Sequence, residues 1–184
     1  MQPARLVRRL ARRAAEAGVE IRERSRVGSA AETGAESVVV ATEPVAQKLF
    51  ETPHYGRHGF DYWHQTLDGR IVAGGFRDVS LQDEFTANEV TTPVVQQALE
   101  EFVEALVGRC LRVDYRWAGI FGLVLDFLPV VGPVPDDDGL WVAGGYSGHG
   151  NVLGFACGRL VAEAILGRPD PLLDLFEPSR LVLA

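Results

Sequence analysis

Apolar residues recur at helical spacing from the start of the chain. Leu6, Leu10 and Ala14 share one face, Val7 and Ala11 widen it, and arginines lie largely opposite, which predicts a helix over residues 4–17. Gly18 supplies its stop. Residues 19–27 read as a short extended segment, and Thr33-Gly34 as a turn. Ser37 to Ala41 reads SVVVA, a run that suits a strand buried on both faces, as in a parallel sheet under helices. The first 42 residues therefore predict the tail of an α/β unit.

The pattern then changes. Residues 43–60 are irregular, with Pro44, Pro53, Gly56 and Gly59. Tyr62 to Leu67 and Arg70 to Phe76 read as two strands around Asp68-Gly69, a pair that suits a type I′ hairpin turn. Thr92-Pro93 opens a helix with the stripe Val95, Leu99, Phe102 and Leu106, and Gly108 ends it. Residues 111–117 alternate, with Leu111, Val113, Tyr115 and Trp117 expected on one face of a half-buried antiparallel strand. A loop rich in glycine and proline follows through Pro135, then a short strand over Leu140 to Ala143 and a long helix to about Leu166. This order predicts a mixed α/β and α+β fold. Residues 1–45 and 138–184 are expected to form part of an α/β lobe, and 46–137 an antiparallel lobe.

Composition narrows the classes. The chain has 184 residues, 47% of them hydrophobic, and a net charge of −7, which suits a globular core and disfavours general nucleic-acid binding. No stretch approaches the roughly 18 continuous apolar residues of a membrane span. Cys110 and Cys157 lie far apart and form no CxxC pair, so small core residues and a reduced, cytoplasmic compartment are expected. Eight arginines stand between Arg5 and Arg26, which suits a solvated helix face, an organellar presequence or a helix for an anionic surface.

The chemistry concentrates in residues 140–160, LWVAGGYSGHGNVLGFACGRL. Physically this is strand, glycine-rich loop, helix. Glycines let backbone approach a ligand closely, and a helix start presents unpaired N–H groups and the positive end of the dipole. Such a start suits an anion, and a tight strand-to-helix turn explains the glycines equally well. Gly148-x-Gly150 is followed by Leu153, where a dinucleotide fingerprint has a third glycine. The chain contains no GxGxxG and no P-loop.

Gly145-Tyr146-Ser147-Gly148-His149-Gly150 resembles the carboxy-terminal flavin motif of the D-amino-acid-oxidase-like family, which includes glycine and sarcosine oxidases, D-amino-acid dehydrogenase and glutamylputrescine oxidase relatives. Asp126 to Gly132 is similar to that family's D-x-x-P-x-x-G segment, and Trp117-Ala118-Gly119 to the W-x-G before it. Tyr62 to Gly75 resembles the hairpin of its substrate lobe, and Leu6 to Val27 the helix and strand before an A-T motif, here Ala41-Thr42.

The resemblance implies an FAD-dependent oxidoreductase that oxidises a C–N bond of an amine or amino acid to an imine. It implies non-covalent FAD, because Gly119 to Leu125 holds no cysteine. It places Val27, Ala41, Thr42 and the run Gly145, Tyr146, Ser147, Gly148, His149, Gly150 and Asn151 at the cofactor, and Tyr62, His64 and Arg77 at the substrate. For Arg77 the plainer expectation, placed ahead of the substrate role, is a surface arginine paired with Asp78 or with solvent. The family's amino-terminal βαβ unit is absent from this sequence, so a second chain supplying it, or a non-catalytic remnant of the fold, are both expected possibilities.

Overall fold

The computed structural model describes residues 3–24, 34–86 and 88–181. Helix α1 spans Pro3–Glu16, as its periodicity predicts. Its apolar face stays open, with Leu10 45% exposed. Residues 19–22 carry no regular structure, and the rest of the expected extended segment, with Val27, falls largely outside the described residues.

Strand β1 is Gly34–Pro44, β2 His54–Gly56, β3 Asp61–Gln65 and β4 Arg70–Gly75. The short helix α2 spans Leu81–Glu84, α3 Pro93–Val107, and β5 Val113–Gly122. The five strands form one sheet in the order β2-β3-β4-β1-β5, with every neighbouring pair antiparallel. This corrects the parallel reading of Ser37 to Ala41. An apolar run reports that both faces are covered, not how the strand pairs. The strand from residues 34–44 thus sits inside the sheet built by residues 46–137.

Helix α3 covers one face. Val38 and Val40 of β1, Ile71 and Ala73 of β4, and Val95, Leu99 and Val103 of α3 form the core, most of them fully buried. Each valine, leucine or isoleucine among them contributes about 1.5–3 kcal/mol of burial. Proline at the first position opens α3, and Gly108, at φ 77°, closes it with its N–H on the Glu104 carbonyl.

The other face follows from the register. Tyr62 pairs with Gly74, Gly74 with Val39, and Val39 with Trp117, so these four positions form one row across the sheet. A bulge interrupts the alternation expected over 111–117. Ala41 opposes Tyr115 and Thr42 opposes Val113, which leaves Asp114 as the extra residue. Leu111 and Val113 therefore join the core under α3, while Tyr115 and Trp117 turn to the opposite face. Asp114 is held at the bulge by Arg70, at 2.6 Å, and Arg112, at 2.8 Å.

The hairpin between β3 and β4 also differs in detail. Of Asp68 and Gly69 only Gly69 has positive φ, so the turn is not type I′. A Cβ at Gly69 would stand 2.5 Å from the Val45 carbonyl oxygen, which makes glycine obligatory there.

Strand β6 spans Val130–Pro133 and pairs antiparallel with β7, Trp141–Gly144. The glycines and prolines of this stretch had suggested a loop over β6. Helix α4, Gly150–Ile165, packs on this hairpin, and the short helix α5, Leu173–Phe176, closes on β6. Arg180 fastens the end of the chain to the segment before β6. It donates to the Asp126 carboxylate at 2.8 Å and to the Leu128 carbonyl at 2.9 Å. Among the described residues no helix is long and apolar enough to cross a membrane.

Glu84 is buried against the loop before α3. One carboxylate oxygen accepts from the Thr92 hydroxyl and the other has no partner. Burial pushes its pKa above the ordinary carboxylate value. The folded state therefore holds the Glu84 proton to a higher pH than the unfolded chain does, and stability falls as pH rises through that window. Glu84→Gln removes this loss. Urea denaturation should show the variant more stable than wild type at neutral pH, with the difference shrinking as pH falls below the usual carboxylate range.

Candidate functional site

The site is built where β5 ends and where β7 runs into α4. Three residues of the β7–α4 turn take left-handed backbone: Gly145 at φ 64°, Ser147 at 48° and Gly148 at 89°. Gly145 allows the close approach, since a Cβ there would meet the Val124 side chain at 2.5 Å. Ser147 ties the loop down. Its N–H donates to the Gly122 carbonyl at 3.0 Å, and its hydroxyl accepts from the Val124 N–H at 3.2 Å. The hydroxyl in turn donates to the Gly145 carbonyl at 3.4 Å.

The loop turns directly into α4. His149 donates its N–H to the Tyr146 carbonyl, and its own carbonyl accepts from Val152 and Leu153. The first turn of α4 holds no acidic residue. Its N–H groups and dipole therefore present positive polarity that no carboxylate of that turn cancels. The Tyr146 ring packs on the helix, where a Cβ at Gly150 would come within 3.3 Å and one at Gly154 within 3.7 Å. Burial pushes up the Tyr146 phenol and the Cys157 thiol, which keeps both neutral.

Between this loop and the open face of the sheet lies a groove of about 420 Å³. Its floor comes from Val39, Tyr62, Trp117, Gly119 and Phe121, and its far wall from Ser147, Gly148 and His149, with Tyr55, His58 and Arg77 at its sides. A Cβ at Gly119 would meet nothing within 4 Å, so bare backbone faces the groove there. Among the described residues no carboxylate lines it, although the chain carries a net charge of −7.

Arg77 is the groove's cation. Its guanidinium stacks over Phe60 at 4.7 Å and Phe121 at 5.4 Å. It does not take Asp78, which pairs with Arg57 at 2.6 Å. Arg57 also holds Asp61, and both carboxylates raise its pKa further above the ordinary arginine value. Arg77 is thus left to face the groove.

The structure brings together Tyr62, Arg77, Ser147, Gly148 and His149, which the sequence had named, and adds Tyr55, Val39, Trp117 and Phe121, which it had not. Gly145, Tyr146 and Gly150 shape the loop from behind the groove, and Asn151 is exposed in the first turn of α4. His64 is not at the groove. It sits two positions along β3 from Tyr62, half-buried, and desolvation lowers its pKa. Ala41 and Thr42 are corrected too. They belong to the interior strand β1, and Thr42 is fully buried, with its hydroxyl accepting from Ile71 N–H at 3.1 Å and donating to the Glu43 carbonyl at 2.8 Å. Cys157 is a core residue as expected, but Cys110 is exposed. Tyr55 lies on β2, in a stretch whose sequence pattern is irregular, and only the fold brings it across the groove, 94 residues from its partner His149.

Among the described residues, a mixed α/β body thus sets a carboxylate-free groove between a sheet face and a helix start, a shape and polarity that suit a planar ligand bearing negative charge. The family of FAD dependent oxidoreductases, DAO, matches residues 34–164, more than half of the chain, and the chain belongs to it. It is 30% identical over 149 residues to a probable oxidoreductase, OrdL, of Haemophilus influenzae, covering 77% of this chain and 32% of that protein. It is 34% identical over 107 residues to the gamma-glutamylputrescine oxidoreductase of Escherichia coli, covering 58% and 23%. Among solved structures it is similar to the L-proline dehydrogenase of P. horikoshii, with TM-score 0.65 and 21% identity, covering 91% of this chain and 43% of that one. Glycine oxidase from Geobacillus kaustophilus gives TM-score 0.63 at 19% identity, covering 94% and 43%. These two likenesses show the fold. The chain spans a third or less of the length of the curated relatives it matches.

Ser147 is the loop's anchor, and its removal has a defined cost. Ser147→Ala leaves the buried Val124 N–H without an acceptor and should lower stability by about 1–3 kcal/mol in chemical denaturation.

Proposed function

We propose that this chain forms the ring-side and substrate-side part of an FAD-dependent oxidoreductase that oxidises a C–N bond of an amine or amino acid to an imine. The observation that carries this reading is the groove itself, which sets the start of α4 and Arg77 around an aromatic floor without one carboxylate.

The residues present fit a flavin ring held without a covalent bond. Gly119 and Gly148 leave bare backbone in the groove, and neither cysteine lines it. A bound flavin supplies the acceptor for a hydride from the carbon beside the substrate nitrogen. The loop N–H groups and the α4 dipole would stabilise negative charge on such a ring. Val39, Tyr62 and Trp117 exclude water from the opposite side. Arg77, already oriented by Phe60 and Phe121, offers a two-pronged donor to a substrate carboxylate.

The curated relatives are three or more times longer than the segment matched here. We assign the grip on the adenosine end of FAD to polypeptide outside this chain, in a longer protein or a second subunit. The outer face of α4 suits such a partner, since Val152 is 71% and Phe155 72% exposed.

Titration of the chain with FAD, followed by the visible flavin band, tests the reading. A saturable perturbation is expected, and an unchanged spectrum at every protein concentration would overturn it. A simple carboxylate added to the flavin-loaded protein should perturb the band further. Arg77→Ala should weaken that second effect by roughly 10- to 100-fold, the worth of a charged hydrogen-bonded pair, while leaving the first in place.

A further inference from the structure

Tyr55 stands on β2, the edge strand of the sheet, and reaches over the groove to the glycine-rich loop. Its hydroxyl lies 3.3 Å from Nε2 of His149. The other ring nitrogen, Nδ1, lies 3.2 Å from the Ser147 carbonyl oxygen. A carbonyl oxygen only accepts, so Nδ1 carries the proton in this arrangement. In the neutral ring Nε2 is then an acceptor, and the Tyr55 hydroxyl donates to it.

Two further features hold the contact. The rings meet edge to face, with centroids 6.3 Å apart at 65°. Gly59 leaves room for the phenol, because a Cβ there would stand 2.0 Å from the Tyr55 hydroxyl. His149 is also the residue whose carbonyl receives the first N–H groups of α4. Its ring is therefore held at the point where the loop backbone that lines the groove becomes α4.

We propose that Tyr55 is a positioning residue: its hydroxyl donates to Nε2 of the His149 ring, whose Nδ1–H the Ser147 carbonyl holds, and latches the glycine-rich loop to the edge of the sheet. Tyr55 is 62% exposed, so the bond competes with water and acts on orientation more than on stability. The consequence for ligand binding rests on the cofactor reading above, whereas the latch itself does not.

The test is nitrogen NMR of the histidine rings in the labelled, cofactor-free chain, with His149 assigned by the signals lost in His149→Gln. Wild type should show His149 with Nδ1 protonated and Nε2 bare. Tyr55→Phe should shift the ring toward the Nε2-protonated form at unchanged thermal stability. Gly59→Ala, which keeps the tyrosine but displaces it, should produce the same shift. A wild-type ring already protonated at Nε2, or a tautomer ratio unmoved by Tyr55→Phe, would overturn the latch. FAD titration of Tyr55→Phe should show binding weakened by about three- to tenfold. Absence of flavin binding in every form would instead sink the cofactor reading and leave the tautomer result to decide the latch.

Discussion

The site depends on one small set of hydrogen bonds, those that Ser147 makes to the end of β5. Its N–H on Gly122 and its hydroxyl on Val124 bring the β7–α4 turn against the five-stranded sheet. Without them the sheet would present only an open aromatic face, and α4 would present only a helix start. The bonds are sheltered, as Ser147 is 8% exposed, so each retains most of its value. Ser147 takes φ 48° to make them, a left-handed conformation that costs a non-glycine residue some energy. Storing that cost at a ligand-facing turn is typical of sites whose geometry is fixed before binding.

Charge follows the same geometry. The chain is acidic overall, yet its carboxylates near the groove are drawn away from it. Arg57 takes Asp61 and Asp78, and Arg180 takes Asp126. The sorting leaves Arg77 and the helix dipole as the polarity that the groove presents. Such polarity favours a ligand edge that gains negative charge.

Much of this was legible in the sequence, because the signals were local. Helices α1, α3 and α4 follow from their apolar periods and terminal glycines, and the loop from its glycine spacing. The antiparallel partners of β1 were not legible, since a VVV run reports burial on both faces and says nothing of strand direction. The bulge at Asp114 escaped for a related reason: alternation over Leu111 to Trp117 looks unbroken until a partner strand skips one residue. Ala41 and Thr42 resemble a family motif by two letters, and their buried place in the sheet depends on pairing with distant residues, Val72, Val113 and Tyr115. Tyr55 carried no signal at all, because its partner is brought to it only by the assembled groove.

The central claim is that the loop from Ser147 to the first turn of α4, together with the end of β5, forms one ligand site. Amide hydrogen exchange of the chain with and without FAD measures this directly. The account predicts slowed exchange at residues 148–151 and 119–121, with α3 and its Glu100–Glu104 surface unchanged. Unchanged exchange at both segments in the presence of bound flavin, or protection confined to α3, would contradict it.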